Sequence, residues 1–210
     1  DLLSHMLMGR LCLRLQQPVG AQQHFGAILA RIPASEAARS GLVDALAAQG
    51  NLAMAKAQSE GMLRANPNSE VAHLAAARVA GLECDDERAL AHVEKLVQLR
   101  PANAAHIYNR GLCLLRLGRF HEGWRDHEYR FAAGAVHRRF PDSPRWDGRA
   151  VERLLILAEQ GLGDVILFSR FIPEAARRAG RVALVCPASL GGLLARSLSI
   201  ECVPDDAQGW

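Results

Sequence analysis

The 210-residue chain lacks several features that mark whole classes of protein. No apolar run approaches the ~18–20 residues that a membrane-spanning helix needs, and the first residues show no charged segment followed by an apolar core. Aromatic residues make up only 5% of the chain, and lysine occurs only as Lys56 and Lys95. The formal net charge of +3 is too small to require a nucleic-acid partner. We therefore expect a cytoplasmic protein with no membrane span.

A disulfide framework and a metal site are not predicted either. The five cysteines are scattered and form no C-x-x-C pair, which is typical of buried free thiols in a reducing compartment. They are Cys12, Cys84, Cys113, Cys186 and Cys202. Among the histidines, His121 and His127 are six residues apart, a poor spacing for one helical face. We place His5, His73 and His106 at separate positions of the repeat described next.

The strongest pattern in the chain is a regular spacing of about 34 residues, which separates three prolines, Pro33, Pro67 and Pro101. Small residues recur with the same period, twelve positions before each proline, where two helices would cross closely. Turn residues fall between the two helices of each unit. A fixed period of this size predicts a solenoid of helical hairpins, in which each unit stacks on its neighbours to bury its apolar face. Proline after each second helix prevents that helix from continuing.

These residues resemble the tetratricopeptide repeat, whose unit has small residues at its eighth and twentieth positions and proline at its thirty-second. Gly9, Ala21 and Pro33 reproduce this in the first unit. The resemblance covers residues 1–137, with units near 2–35, 36–69, 70–103 and 104–137. The position one period after Pro101 is Ala135, which indicates that the array ends there.

A different organisation is predicted after residue 137. Residues 138–153 contain two prolines and no apolar period, so we expect a linker. Apolar runs at 154–160 and 181–186, with a third at 200–203, are separated by helical segments, an order that predicts a parallel sheet. The predicted fold is mainly α: a helical solenoid followed, over 154–210, by a partial α/β Rossmann-like domain.

The first strand would deliver a polar, glycine-containing loop to the edge of the sheet where ligands bind in such folds. This loop consists of Glu159, Gln160, Gly161, Leu162, Gly163 and Asp164. It is not a dinucleotide fingerprint, because Ile166 stands where the third glycine is due, and it lacks the G-K-[ST] of a phosphate-binding loop.

The longer string AEQGLGDVILFSRFIP, residues 158–173, resembles the opening of the heptosyltransferase-like glycosyltransferases of GT-B type. Repeats followed by a W-D-G linker and this string also resemble bacterial tetratricopeptide proteins that carry such a domain. The resemblance implies that Asp164 is the general base, that Glu159, Gln160, Gly161 and Gly163 bind substrate, and that a nucleotide sugar is the donor, with no other cofactor. Asp164 would equally serve as the N-cap of the following helix, and this alternative stays open.

The repeats offer a second candidate site, a groove lined by the first helix of each unit. In the protein-modifying transferases that share this layout, an asparagine at the sixth position of that helix grips the backbone of the bound polypeptide. Only the fourth unit matches, with Asn109. Recognition of a protein or peptide would then depend on side chains of the groove. The candidates are Arg10, Asp44, Arg78, Tyr108, Asn109 and Arg116.

The resemblance implies a fragment of a glycosyltransferase whose repeats present a protein or peptide acceptor. Only the stretch 154–210 remains for the α/β part, which is too short for the two domains of such an enzyme, so we expect no turnover from this chain alone. The alternative is a non-enzymatic scaffold in which the α/β part is a cap. Pairing of chains through terminal repeats is also compatible with the sequence.

Overall fold

The computed structural model describes residues 1–137, 143–159 and 161–203. The chain divides into two compact units, Asp1–Arg139 and Phe140–Trp210. We call them the helical unit and the sheet unit. Gln160, one of the predicted substrate-binding residues, lies outside the described residues.

The helical unit consists of four helical hairpins in succession. The helices are α1 (Leu2–Arg14), α2 (Pro18–Arg31), α3 (Glu36–Ala48), α4 (Leu52–Ala65), α5 (Glu70–Leu82), α6 (Asp86–Leu99), α7 (Ala104–Arg116) and α8 (Phe120–His127). A single 3₁₀ turn, Glu128–Arg130, follows α8. The first helices of the four hairpins begin at the same constant spacing as the prolines, which confirms the predicted solenoid and its period.

Each first helix begins at a side-chain cap that repeats with the same period. Asp1, Ser35, Ser69 and Asn103 precede α1, α3, α5 and α7, and each accepts a backbone N–H from the first turn. Such caps satisfy donors that have no partner inside the helix, and each is worth about 1 kcal/mol. The helix starts are therefore encoded locally.

The turns inside the hairpins also share one backbone conformation. The residue at the same position of each unit has positive φ: Gln16 (57°), Gly50 (78°), Cys84 (57°) and Gly118 (74°). The next residue donates its N–H to the carbonyl five residues earlier, at 2.8–2.9 Å, as in a Schellman motif. Two of the four positions thus carry a side chain in a region that favours glycine.

The core between the first two hairpins is built around Phe25, which is 1% exposed. Gly9 and Gly41 lie against its ring from two helices, since a Cβ at either position would come within 2.5–2.8 Å of ring atoms. At the eighth position of the units, where Gly9, Ala77 and Gly111 are small, the second unit is the exception and has the larger Val43. At the position equivalent to Phe25 the same unit has the smaller Ser59. The larger residue at one position is thus accompanied by a smaller residue at the other.

The sheet unit is a three-stranded parallel sheet with helices between the strands. Its elements are β1 (Val151–Leu157), α9 (Leu162–Ser169), α10 (Ile172–Ala176), β2 (Ala179–Val185), α11 (Ala188–Leu198) and β3 (Glu201–Val203). The strand order is β1-β2-β3, and both pairings are parallel. The core between strands and helices contains Val165, Ile172, Leu184, Cys186, Leu190 and Leu194. This confirms the predicted fold class.

One boundary in the sheet unit, the start of β1, differs from the prediction. β1 begins at Val151, so residues 151–153 belong to the strand and not to the linker. The first part of β1 contains two polar residues, Glu152 and Arg153, which are exposed. It belongs to the strand because Arg153 pairs with Arg181 of β2. Of the cysteines expected to be buried, Cys84 is exposed and Cys202 only half-buried. Within the described ranges, no helix is both long and apolar enough to cross a bilayer.

Candidate functional site

The predicted groove corresponds to the surface formed by the first helices of the hairpins. α1 contacts α3, and α3 contacts α5, so the first helices of the first three units lie against one another. Helices that approach each other in this way form the inner side of a curved stack. All six predicted groove residues are on first helices, namely α1 (Arg10), α3 (Asp44), α5 (Arg78) and α7 (Tyr108, Asn109, Arg116).

Two of these residues are joined to each other. The Arg78 guanidinium contacts Asp44 Oδ1 through Nε at 2.9 Å and Nη2 at 2.7 Å, and Nη2 also donates to Ser40 Oγ at 3.1 Å. Burial raises the pKa of the Asp44 carboxyl, and the neighbouring Arg78 charge opposes that shift. Asp44 and Arg78 therefore form one ion pair that links α3 to α5, rather than two separate charges available to a ligand.

The fourth hairpin carries the other polar residues of the groove. Arg116 Nε donates to Asp86 Oδ1 at 2.6 Å, so this guanidinium is also paired. The Tyr108 ring lies 5.5 Å from that of His127, centroid to centroid. Asn109 is half-buried on the same helix as Tyr108. Arg10, on α1, is exposed.

The structure gives a steric reason for the missing asparagine ladder. At the sixth position of the second and third units stand Gly41 and Ala75, both buried, and Gly41 is held against the Phe25 ring. An asparagine at position 41 would collide with that ring. Packing between units thus occupies the position that a backbone clamp would need.

The second candidate site lies at the carboxyl end of β1. α9 begins at Leu162 with Gly161 as its N-cap, so Asp164 is the third residue of the helix and not the cap itself. Its carboxylate Oδ2 instead accepts the N–H of Gly161 at 3.2 Å. The predicted N-cap role is wrong in detail, because the side chain reaches back toward the N-cap rather than forward from it.

The surroundings of this carboxylate are open. Asp164 is exposed, and Glu159 is half-buried at the end of the strand. Gly161 has an extended backbone with φ of −81°, so its position does not require glycine for a left-handed turn. A Cβ at Gly161 would meet only the Asp164 carboxylate, at 3.6 Å, and one at Gly163 would meet nothing within 4 Å. The space above both glycines is free for a ligand to approach.

A carboxylate in this place can accept hydrogen bonds or a proton from a hydroxyl group. One oxygen, Oδ2, is oriented by the Gly161 N–H, and the start of α9 favours the negative charge. A separate open depression of about 350 Å³ lies between α11 and β3, lined by small and apolar residues such as Gly191, Gly192 and Cys202. Without a charged side chain, that lining offers little to a nucleotide.

Comparison with known proteins assigns the hairpins to a repeat type. Residues 13–78 match the sequence model of the tetratricopeptide repeat family. The helical unit is a tetratricopeptide repeat solenoid.

Solved structures show the same fold at low sequence identity. TTC0263, a tetratricopeptide repeat protein of Thermus thermophilus, is 19% identical, with a TM-score of 0.58 over 65% of this chain and 76% of its own. The O-GlcNAc transferase of Thermobaculum terrenum is 15% identical, with a TM-score of 0.53 over 98% of this chain and 41% of its own. At such identities the likeness concerns the fold alone.

One curated relative is closer in sequence but over a short stretch. Protein FlbA of Caulobacter vibrioides is 37% identical over an alignment of 82 residues, and the match covers 35% of this chain and 13% of FlbA. The chain thus spans a small part of that relative's length.

Sequence reasoning missed a pair of contacts between histidines. His5 and His73 lie two full periods apart, so they occupy the same repeat position and not separate ones. Each faces a second histidine 19 residues later, His24 and His92, and those two are also one position. The repeat spacing, applied to the histidines, would have found both pairs.

Proposed function

We propose that this chain is part of a tetratricopeptide-repeat glycosyltransferase. The helical unit would bind a protein or peptide acceptor, and the sheet unit would belong to a GT-B type domain that takes a sugar from a nucleotide sugar. The observation that carries the proposal is the exposed Asp164 carboxylate at the carboxyl end of β1, in a parallel sheet of Rossmann-like order. Ligands of open parallel sheets bind at this edge.

In the proposed reaction an acceptor hydroxyl attacks the anomeric carbon of the donor sugar. The new C–O bond forms as the bond from that carbon to the nucleotide phosphate breaks, and the phosphate leaves with the bonding electrons. Asp164 takes the hydroxyl proton, a role worth about 10²–10⁴-fold in rate. Oδ2 is held by the Gly161 N–H, so the carboxylate is oriented before substrate arrives.

Donor binding requires more than the sheet unit provides. Its three strands carry only one polar loop among the described residues, Glu159 and Gly161 to Asp164. The open space over Gly161 and Gly163 suits an acceptor or a phosphate near the backbone. A nucleotide sugar needs a second domain facing this edge, and we therefore expect no turnover from the 210-residue chain alone.

Ion pairs reduce the number of groove side chains that we propose for acceptor binding. Because Asp44, Arg78 and Arg116 are engaged in ion pairs, the groove would recognise a peptide chiefly through the Asn109 amide, the Tyr108 hydroxyl and the exposed Arg10 guanidinium. An amide pairs with both the N–H and the C=O of an extended peptide. The proposed contact region is therefore α7, together with Arg10 on α1.

The second candidate function is a non-enzymatic scaffold, and the tetratricopeptide fold of the helical unit favours it. In that case the groove would bind its partner, and the sheet unit would have a structural role only. The free state of all five cysteines suits either protein in a reducing cytoplasm.

Activity of the full-length protein against a panel of nucleotide sugars, with and without a peptide library, separates the two functions. We expect sugar transfer that falls about 100-fold or more in Asp164→Asn, with unchanged far-UV circular dichroism. Glu174→Gln, which alters another exposed carboxylate of the sheet unit, is the matched control and should keep full activity.

Transfer that persists in Asp164→Asn would exclude the general-base role. Peptide binding without transfer of any sugar would instead establish the scaffold. Asn109→Ala should weaken peptide binding in either case, and unchanged binding in that variant would remove α7 from the recognition surface.

A further inference from the structure

Two pairs of histidines face each other across hairpins of the helical unit. His73 Nδ1 on α5 lies 3.1 Å from His92 Nδ1 on α6, and His5 Nδ1 on α1 lies 3.0 Å from His24 Nδ1 on α2. Their ring centroids are 5.3 and 5.2 Å apart, and both pairs have planes inclined by 52°. The same arrangement is thus built twice.

The hydrogen bonds of the His73 ring fix its protonation state. Nε2 lies 3.0 Å from the Pro67 carbonyl oxygen, which can only accept, so Nε2 carries the proton. In the neutral ring Nδ1 then presents a lone pair toward His92. A histidine that donates one ring N–H to a backbone carbonyl and presents the other nitrogen has the arrangement typical of a metal ligand.

The hydrogen bond from His73 to the Pro67 carbonyl does not explain why a second histidine lies beside His73. In the next unit toward the N-terminus Arg39 occupies the position of His73 and donates to the Pro33 carbonyl at 2.7 Å. A donor at this position is therefore enough to hold the turn. The imidazole of His92 adds a second nitrogen ligand that the turn does not need.

We propose that His73 and His92 bind a divalent transition-metal ion through their Nδ1 atoms, independently of the glycosyltransferase proposal. Metal–imidazole bonds are about 2.0–2.1 Å long, so nitrogens 3.1 Å apart subtend about 95–100° at the metal. This angle lies between those of tetragonal Cu²⁺ or Ni²⁺ and tetrahedral Zn²⁺.

Binding requires a change at His92 only. The His92 proton moves from Nδ1 to Nε2, and the ring tilts so that its lone pair meets that of His73 at the ion. His92 is half-buried, whereas His73 is 8% exposed and is anchored by the Pro67 carbonyl. Water completes the coordination, since no group of three or more metal-binding side chains occurs in the described parts of the chain.

The charge nearest to the pair is largely compensated. Burial of the His92 imidazole, then the neighbouring His73 and lastly Arg88, one helical turn earlier, lower the pKa of His92. Arg88 is itself paired with Glu83 and, at 3.3 Å, with Asp85. A metal ion held by the two histidines would therefore not face an uncompensated positive charge from Arg88.

The test is isothermal titration calorimetry of the 210-residue chain carrying His24→Gln, which removes the other histidine pair, with Cu²⁺, Ni²⁺ and Zn²⁺ chlorides at pH 7.5. We expect saturable binding, tightest for Cu²⁺, that weakens roughly tenfold or more when His92→Gln is added to this variant. His121→Gln, which removes an exposed histidine outside both pairs, is the control and should leave the binding of the His24→Gln variant unchanged.

A second measurement distinguishes ligation from indirect effects. Sub-stoichiometric Cu²⁺ should broaden the ring resonances of His73 and His92 before those of His121. Equal affinity in the His24→Gln variant with and without His92→Gln, loss of binding on adding His121→Gln, or no saturable binding at about millimolar metal would each overturn the proposal. The pair would then be a hydrogen bond between neutral imidazoles.

Discussion

The helical unit and the sheet unit cover their apolar surfaces in different ways. In the helical unit each helix packs on the next one in sequence, so that caps, turns and packing recur once in every hairpin. In the sheet unit β1 pairs with β2 across an intervening pair of helices, from Val151 with Ala179 onward. One face of α9 stays open, with Leu162, Ile166, Leu167 and Phe168 each about half exposed.

The two units therefore differ in where their stabilising interactions are concentrated. Repeat proteins distribute stability over many local interfaces. A three-stranded sheet with one layer of helices depends on a few central side chains, here Leu184 and its neighbours. Substitutions in the two units should therefore act on separate parts of the unfolding profile.

Removal of the Phe25 ring should have the largest effect. Phe25→Ala is expected to destabilise the helical unit by about 3–5 kcal/mol, because two glycines shaped around the ring leave no side chain to fill the cavity. Urea unfolding followed by circular dichroism gives the loss, and segment-resolved hydrogen exchange locates it. Faster exchange in β1 and β2 as well would contradict the separation of the units.

The corresponding change in the sheet unit is Leu184→Ala. Leu184 is 2% exposed at the centre of the core, and we expect a loss of about 2–5 kcal/mol confined to residues 151–203 in the same exchange experiment. Ile166→Gln, at a half-exposed position of α9, is the matched control and should change stability by no more than about 0.5 kcal/mol. A large loss there would mean that the open face of α9 is covered in solution.

Overpacking should cost less than a cavity. Gly41→Ala places a Cβ 2.5 Å from the Phe25 ring, so we expect a loss of about 1–3 kcal/mol. Gly26→Ala, in the middle of α2 with open space around it, should instead gain about 0.5–1 kcal/mol, since alanine favours the helix. Thermal melts of the two variants should move in opposite directions.

The strained turns predict a smaller gain. Cys84 has φ of +57° at the position that Gly50 and Gly118 occupy in other units. Cys84→Gly should stabilise the helical unit by about 0.5–1 kcal/mol, and Gly50→Ala should destabilise it by about 1–2 kcal/mol. If both variants lost stability, the thiol of Cys84 would have a packing role that outweighs the strain.

The smallest effect concerns the ion pair that links α3 to α5. The pKa of Asp44 is raised by burial despite Arg78, so the folded state holds its proton more tightly than the unfolded state does. The stability that the protonated Asp44 carboxyl contributes to the folded state is fully present below the unfolded pKa near 3.8. It is lost as the pH rises through the pKa of the folded state. Asp44→Asn should therefore gain stability relative to the wild type between pH 4 and pH 6 in urea melts. The opposite trend would mean that the ion pair dominates.

The sequence predicted the hairpins well because their determinants are local and periodic. Caps at Ser35 and Ser69, the prolines and the turn residues all fall within one unit. The exception at Val43 could not be interpreted, because its reason lies in the size of Ser59 on another helix. The histidine pairs were missed for a similar reason, since a contact across 19 residues appears only when two units are compared.

The sheet unit was less predictable in its details. The parallel pairing followed from the alternation of strands and helices, but the start of β1 is set by pairing with β2 and not by its own polar residues. The role of Asp164 depended on where α9 starts: the helix begins at Leu162, so Asp164 is its third residue and Gly161 is its N-cap. Whether this carboxylate acts as a base stays a prediction.

The fit of Phe25 between Gly9 and Gly41 also bears on how such an array grows. Units with the same turn and the same cap look interchangeable. Duplication or deletion of one whole unit would leave the turns and caps of the other units intact. The first unit, however, packs its Phe25 ring against the glycine at the sixth position of its successor, where the third and fourth units have Ala75 and Asn109. Deletion of the second unit would therefore bring a larger side chain against this ring and cost stability, as expected for Gly41→Ala.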